Sequence, residues 1–191
     1  IVLCGGQSSR MGSDKGLLTY DDKTWAEIAF EKLASLKIPI KISLNEHQYT
    51  SYSKVFKLDL LIVDNDLLEI RGPLLGVLSL HEKNINEDLL ILAADLLFMD
   101  PTILKELVEL HKKDKEHEVF IYTNDNEHEP LCGIYTSKGL KKNADLHKKN
   151  KLLKHSMKFV LSQLNVCSVP IKSTQKEFFR NFNTDVDFKS L

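Results

Sequence analysis

The stretch Leu3-Cys4-Gly5-Gly6-Gln7-Ser8-Ser9-Arg10-Met11-Gly12-Ser13-Asp14-Lys15 decides how this chain is read. It follows the apolar run Ile1 to Leu3 directly and crowds glycines, serines and two cations into one loop. A strand that runs into such a loop suits a polyphosphate. Gly5 and Gly6 permit close backbone approach, exposed amides can donate to phosphate oxygens, and Arg10 and Lys15 can neutralise charge that amides alone cannot. The spacing fits neither a Walker A loop nor a dinucleotide-binding G-x-G-x-x-G. Taken by itself, the same stretch could be a Gly-rich turn with solvated cations.

Outward from that loop, short β-rich runs alternate with longer helical stretches, as expected for βα units around a mostly parallel sheet. Strands are predicted at Ile1 to Leu3, Ile40 to Leu44, Leu60 to Val63, Leu89 to Leu92, Val119 to Tyr122, Leu131 to Tyr135 and Val166 to Val169. Helices are predicted at Trp25 to Leu36, Leu74 to Lys83, Thr102 to Lys113 and Leu152 to Leu164, where apolar residues recur every three or four positions. No Gly/Ser or Pro-rich linker, internal repeat or low-complexity tract divides the chain, so a single α/β domain over residues 1–191 is expected.

Composition bounds the function. With 26 Lys plus Arg against 27 Asp plus Glu, broad electrostatic attraction cannot define a partner, which argues against a nucleic-acid or membrane-surface binder. The 42% hydrophobic content over 191 residues supports a sizeable core. The three cysteines, Cys4, Cys132 and Cys167, are odd in number and far apart, which fits a reducing cytoplasm better than a disulfide framework or a paired-cysteine zinc site. Apolar runs such as Leu58 to Val63 and Leu89 to Ala94 stop well short of the roughly 20 residues that span a bilayer. The first residue is Ile, so a short N-terminal piece is expected ahead of it.

Asp95 follows the run Leu89 to Leu92, which places its carboxylate at the C-terminal end of a buried strand, where α/β sheets bind ligands. One such Asp with substrate phosphates is an adequate magnesium site, and the alternative is a helix cap before Pro101. Asp64 closes an earlier strand ahead of Gly72-Pro73, which opens a helix containing Gly76, leaving room for a base or ribose; an Asp/Asn-rich turn explains the shape equally well. The Lys-rich stretch Lys138 to Lys158 could meet an anionic ligand or a partner protein, or form a solvated helix face. The histidines show no metal-binding spacing, and Cys4 reads as a small hydrophobe.

The opening loop closely resembles the signature L-x-G-G-x-S-x-R-M-G-x-D-K of the molybdenum cofactor guanylyltransferases. Further segments follow in that family's order: Asp64 with Arg71-Gly72-Pro73-Leu74-Leu75-Gly76, then Ala94-Asp95, Glu129-Pro130-Leu131, and Asn181-Phe182-Asn183-Thr184. The resemblance covers nearly the whole chain. It implies a Rossmann-like three-layer sandwich of the nucleotide-diphospho-sugar transferase type. Nucleotide contacts would come from Leu3, Cys4, Gly5, Gly6, Lys15, Asn45 (or, by register, Ser43), Asp64, Gly76 and Asp95. Arg10 and Lys15 would hold the triphosphate and Asp95 would hold Mg2+, while Glu129, Pro130, Asn181 and Asn183 would line the acceptor side. One departure is plain: where the family has a proline two residues after the aspartate, this chain reads Asp95-Leu96-Leu97-Phe98.

By this resemblance the reaction joins GTP to molybdenum-molybdopterin and releases pyrophosphate. The attacking phosphate, with a second pKa of about 6, is largely dianionic at neutral pH and needs no general base. Catalysis would then rest on positioning and electrostatics. Gly5 is expected to favour guanine, because related cytidylyltransferases tend to read L-A-A-G where this chain reads Leu3-Cys4-Gly5-Gly6. Cofactor-biosynthesis proteins or recipient molybdoenzymes are candidate protein partners. Two alternatives remain: a cytidylyl- or sugar-phosphate nucleotidyltransferase, and a non-catalytic nucleotide- or pterin-binding carrier.

Overall fold

The computed structural model describes residues 1–5, 14–125 and 127–182. Strand β1 is Val2–Leu3; β2 (Thr19–Tyr20) and β3 (Lys23–Thr24) form a small hairpin; α1 is Trp25–Ala34 and β4 is Ile42–Leu44. There follow α2 (Glu46–Tyr52), β5 (Leu61–Val63), α3 (Pro73–Lys83), β6 (Leu89–Ala93), α4 (Pro101–Lys113), β7 (Val119–Asn124), β8 (Glu127–Tyr135), α5 (Ser137–Lys148), α6 (Met157–Leu161) and β9 (Val166–Pro170).

Seven strands form one sheet in the order β5-β4-β1-β6-β8-β7-β9. Pairing is parallel throughout except where β8 lies antiparallel between β6 and β7. Alternation along the strands feeds two cores. Val2, Ile42, Leu44, Leu90, Leu92 and Phe120 pack under α1, α2 and α4, while Leu3, Leu89, Ile91, Val119 and Ile121 pack under α3, α5 and α6. A helix-sheet-helix sandwich results, as the sequence predicts. Because the chain builds outward from β1 first through β4 and β5 and then returns to β6 on the other side, the crevice at the C-terminal ends of β1, β4 and β6 is a topological switch point.

Helix starts follow local chemistry. Thr24 and Glu27 form a reciprocal capping box for α1, and Asp100 caps α4 ahead of Pro101. The cap before Pro101 is therefore Asp100, not Asp95.

Several boundaries differ from expectation. The helix predicted over Leu152 to Leu164 is reduced to the five residues of α6, because Ser156 starts it and only Met157, Val160 and Leu161 turn inward. Helix α2 was not anticipated, since among Glu46–Tyr52 only Tyr52 is buried and no apolar repeat marks it. Helix α5 hides in the Lys-rich run, burying Gly139, Leu140 and Asn143. The β2–β3 turn uses Asp21 and Asp22 at positive φ (52° and 62°), which Asp tolerates better than most residues. Pro130 lies inside the sheet rather than at an edge. Ile121 pairs with Gly133 but Thr123 with His128, so the proline falls where the β7–β8 ladder is already broken and no amide is demanded of it.

Candidate active site

The site grows from the end of β1. The amide of Cys4 donates to Ser43 O at 3.0 Å and that of Ala94 to Leu3 O at 3.1 Å, so neighbouring strands bring Asp64 and Asp95 to either side of Gly5. Gly6, Arg10 and the serines of the loop lie outside the described residues, as do Asn183 and Thr184.

Asp14, next to Lys15, has its carboxylate held three ways. Oδ1 accepts from Gly16 N at 3.0 Å and Tyr52 Oη at 3.1 Å, and Oδ2 accepts from Gln48 Nε2 at 2.7 Å. The same Gln48 amide donates to Cys4 O at 3.0 Å, so one side chain ties Cys4 to Asp14. Gly16 is required here, because a Cβ would stand 2.1 Å from Tyr52 Oη. Asp14 thereby caps the short 3-10 turn Lys15–Leu17 and aims Lys15. The sequence reading gave Asp14, Gln48 and Tyr52 no role, since α2, which supplies two of them, was not foreseen.

Lys15 Nζ lies 3.9 Å from Asp95 Oδ2 and donates to Phe182 O at 3.2 Å. Phe182 is fully buried against Trp25 and Phe98, with ring centroids 6.1 and 5.3 Å away, and this aromatic cluster brings the late segment back to the cleft. Asn181, exposed, directly precedes Phe182 in the chain. Burial raises the Asp95 carboxyl above the usual carboxylate range, and the Lys15 ammonium opposes that rise. A cleft of about 200 Å³ contains Leu3, Cys4, Gly5, Lys15, Asp95 and also Leu131, the residue after Pro130. Glu129 is half-buried, its carboxyl raised by burial and by Glu127. Burial pushes the Cys4 thiol up, which keeps it protonated and matches the small-hydrophobe reading.

A second hollow of about 800 Å³ joins the first at Gly5 and is lined by Asn45, Asp64, Arg71 and Gly72 among others. Asp64 Oδ1 accepts from the buried Ser43 hydroxyl at 2.7 Å, and burial lifts its carboxyl to about 6. Ser43 thus holds Asp64, while Asn45 lines the hollow and caps α2 through Oδ1. Gly76 is closely packed. The space its missing side chain leaves is filled by protein, since a Cβ would lie 2.1 Å from Ser43 Oγ and 3.3 Å from Asp64 Oδ1. Its bare Cα lets α3 close over Ser43 and Asp64. At Gly5 the same holds, where a Cβ would meet Asp64 Oδ2 at 2.9 Å. The expected room for a purine is thus occupied by the carboxylate that faces the hollow.

The donor set fits a hard cation. A mostly buried carboxylate at a strand end with an ammonium opposite, beside an open cleft, matches a magnesium ion that takes one protein oxygen and completes its shell from phosphates and water. Elsewhere, Asp114, His117 and Cys167 have ligand atoms within 4.8 Å of one another. They lie at the opposite edge of the sheet, where β7 and β9 begin, and Asp114 already accepts from the His117 ring at 2.7 Å.

A doubly wound sheet whose switch-point cleft joins Gly5, Lys15 and Asp95 defines a nucleotide-binding transferase. The sequence profile described as the MobA-like NTP transferase domain matches residues 1–165, and the chain belongs to that family of nucleotidyltransferases. A relative from Clostridium perfringens (strain SM101 / Type A), described as a probable molybdenum cofactor guanylyltransferase, is 31% identical over 197 residues, covering 100% of this chain and 93% of its own. One from Flavobacterium johnsoniae with the same description is 30% identical over 139 residues, 72% of this chain and 67% of its own. The crystal structure of molybdopterin-guanine dinucleotide biosynthesis protein A from Archaeoglobus fulgidus superposes with a TM-score of 0.77, covering 99% of this chain and 94% of that one at 23% identity, a likeness of fold. Among the described residues no helix is long and apolar enough to cross a membrane.

Proposed function

We propose that this chain transfers GMP from GTP to the terminal phosphate of molybdenum-molybdopterin, with Mg2+ as its metal. A phosphate oxygen of the acceptor forms a bond to the α-phosphorus, the bond from that phosphorus to the bridging oxygen breaks, and pyrophosphate leaves with the electron pair. The observation that carries the reading is the Lys15–Asp95 pair, 3.9 Å apart in one cleft, with Asp64 facing the adjoining hollow across Gly5. The names of the relatives supply the acceptor.

In this reading Lys15 neutralises the triphosphate and its leaving group, held in aim by the Asp14 capping turn. Asp95 would hold magnesium, which when bound supplies charge neutralisation at the phosphates. Asp64 reads the base: the two oxygens of a carboxylate match the N1–H and 2-amino donors that guanine presents side by side and that cytosine and adenine lack. Asn45 borders the same hollow. Glu129, Pro130, Asn181 and the segment after it serve the acceptor, as do Arg10 and Gly6 the triphosphate. Three unpaired cysteines suit the reducing cytoplasm.

The test is pyrophosphate release by the purified protein with Mg2+ and molybdenum-molybdopterin, supplied in parallel with GTP, CTP or ATP. Release with GTP alone is expected. Release with CTP alone overturns the assignment of Asp64, and tight GTP or pterin binding without release from any nucleotide moves the protein to the carrier class.

A further inference from the structure

Lys32 stands in the last turn of α1, where a cation suits the helix end, yet on the face that the helix turns inward. It lies on α1 seven residues after Trp25 and three after Ala29, both fully or almost fully buried, so it continues the stripe that the helix turns toward the core. A lysine there must find partners or strain the fold. Its ammonium donates to two backbone carbonyls, Leu96 O at 3.4 Å and Leu97 O at closer range. Burial pulls its pKa down to about 8, against the pull of Asp100 and Cys132.

Those two carbonyls belong to the residues that directly follow Asp95. Leu96 N closes a turn onto Ala93 O at 3.2 Å, and Met99 N closes the next onto Leu96 O at 3.1 Å, so Asp95 is presented by the first of two consecutive turns. Leu97 packs with Trp25 and Phe182, the residue whose carbonyl meets Lys15. One helix thus grips the Asp95 loop at both a side chain and its backbone, across 64 and 65 residues of sequence.

We propose that Lys32 is a positioning residue for Asp95: its ammonium ties the Leu96 and Leu97 carbonyls to α1 and fixes the turn that presents the carboxylate to metal and triphosphate. The proposal rests on the reading of Asp95 as the metal-holding group. Outer groups that orient a metal-holding side chain typically change metal affinity by about 10- to 100-fold when removed.

The experiment compares wild type with Lys32→Met, Lys32→Arg, Lys32→Gln and Asp95→Asn. Mn2+ binding is followed by electron paramagnetic resonance, steady-state pyrophosphate release as a function of Mg2+, and emission of Trp25, the only tryptophan. Lys32→Met is expected to weaken Mn2+ binding about tenfold and to raise the half-saturating Mg2+ by a similar factor. The KM for GTP should stay within about twofold and the Trp25 emission should shift. Lys32→Arg, which keeps donors and charge, should recover most of the affinity. Should the Met variant not fold, Lys32→Gln carries the comparison, with about a threefold weakening expected because it can reach one carbonyl but not both. Mn2+ binding lost in Asp95→Asn but wild-type in the Lys32 variants overturns this proposal alone. Binding that survives Asp95→Asn overturns the reading of Asp95 and this proposal with it. Weakening that Arg does not relieve, accompanied by a matching loss of thermal stability, assigns Lys32 a structural role only and also overturns it.

Discussion

Replacing Asp64 by Asn separates what this carboxylate costs the fold from what it does for the nucleotide. Burial lifts the Asp64 carboxyl from 3.8 to about 6, partly opposed by the Ser43 hydroxyl, so the native state prefers the protonated form. Between those two values the folded chain binds more protons than the unfolded one, and stability falls as pH rises through the window; above about 6 the penalty is complete. At about 1.4 kcal/mol per pH unit the rise comes to roughly 3 kcal/mol, and partial solvent access reduces this to about 2 kcal/mol. Asn keeps an acceptor for Ser43 without the charge. Asp64→Asn should therefore be more stable than wild type at pH 8 by about 2 kcal/mol, or about 4 to 8 °C in Tm for a chain of this size. The advantage should shrink to nothing near pH 3.5. In the same variant the KM for GTP should rise about 10- to 100-fold, as two charge-assisted hydrogen bonds to guanine are lost. Wild-type KM should itself climb below pH 6, where Asp64 becomes protonated, and the variant's should not. Differential scanning fluorimetry from pH 3.5 to 8, with initial rates at pH 5.5 to 8, measures both. A stability difference that does not change with pH would refute the reasoning, because it would mean that Asp64 is not ionised against a burial penalty.

Asp95→Ala should lower pyrophosphate release at saturating GTP by about a hundredfold or more. Its Tm should be at or above the wild-type value, since burial raises the Asp95 carboxyl and removing it relieves that cost; a thermal melt beside the kinetics checks both. Gly16→Ala places a Cβ 2.1 Å from Tyr52 Oη and should destabilise the fold by about 1 to 3 kcal/mol. Tyr52→Phe in that background should recover part of the loss by clearing the hydroxyl, a non-additivity readable in a double-mutant cycle of urea melts. Gly5→Ala, with its Cβ 2.9 Å from the end of the Asp64 side chain, should leave the fold intact but raise the KM for GTP about tenfold while CTP inhibition changes little, as competition assays would show.

Much of the fold was legible because it is written locally. The unbroken apolar runs Leu89 to Leu92 and Val119 to Tyr122 mark strands buried on both faces, and the three- and four-residue spacing in Pro73–Lys83 marks a helix that must cover one of them. Helix α2 escaped notice because Glu-His-Gln-Tyr-Thr-Ser-Tyr carries no apolar period; its stability comes from the Asn45–Gln48 capping box and from Tyr52 reaching Asp14. Helix α6 was overextended because Leu152 and Leu164 continue its spacing, though one is buried in an extended segment and the other follows the helix end.

The sequence by itself determined that a glycine-rich stretch ending at Lys15 follows a strand and that Asp64 and Asp95 stand just beyond strand ends, since each of these is set by neighbours within a few residues. Only the tertiary structure decided what those groups face. Ser43 meets Asp64 across 21 residues and Lys15 meets the Phe182 carbonyl across 167, through sheet order and helix packing that no local pattern encodes. The bare Cα of Gly5 lies against the Asp64 carboxylate and that of Gly76 against the Ser43 hydroxyl; Lys32 reads as an ordinary helix lysine and donates to a loop 64 residues away. The reason is physical. A backbone's preference is decided by its own dihedrals and side chains, whereas the meaning of a missing Cβ or a buried charge depends on the atom across the gap, and the fold alone chooses that atom.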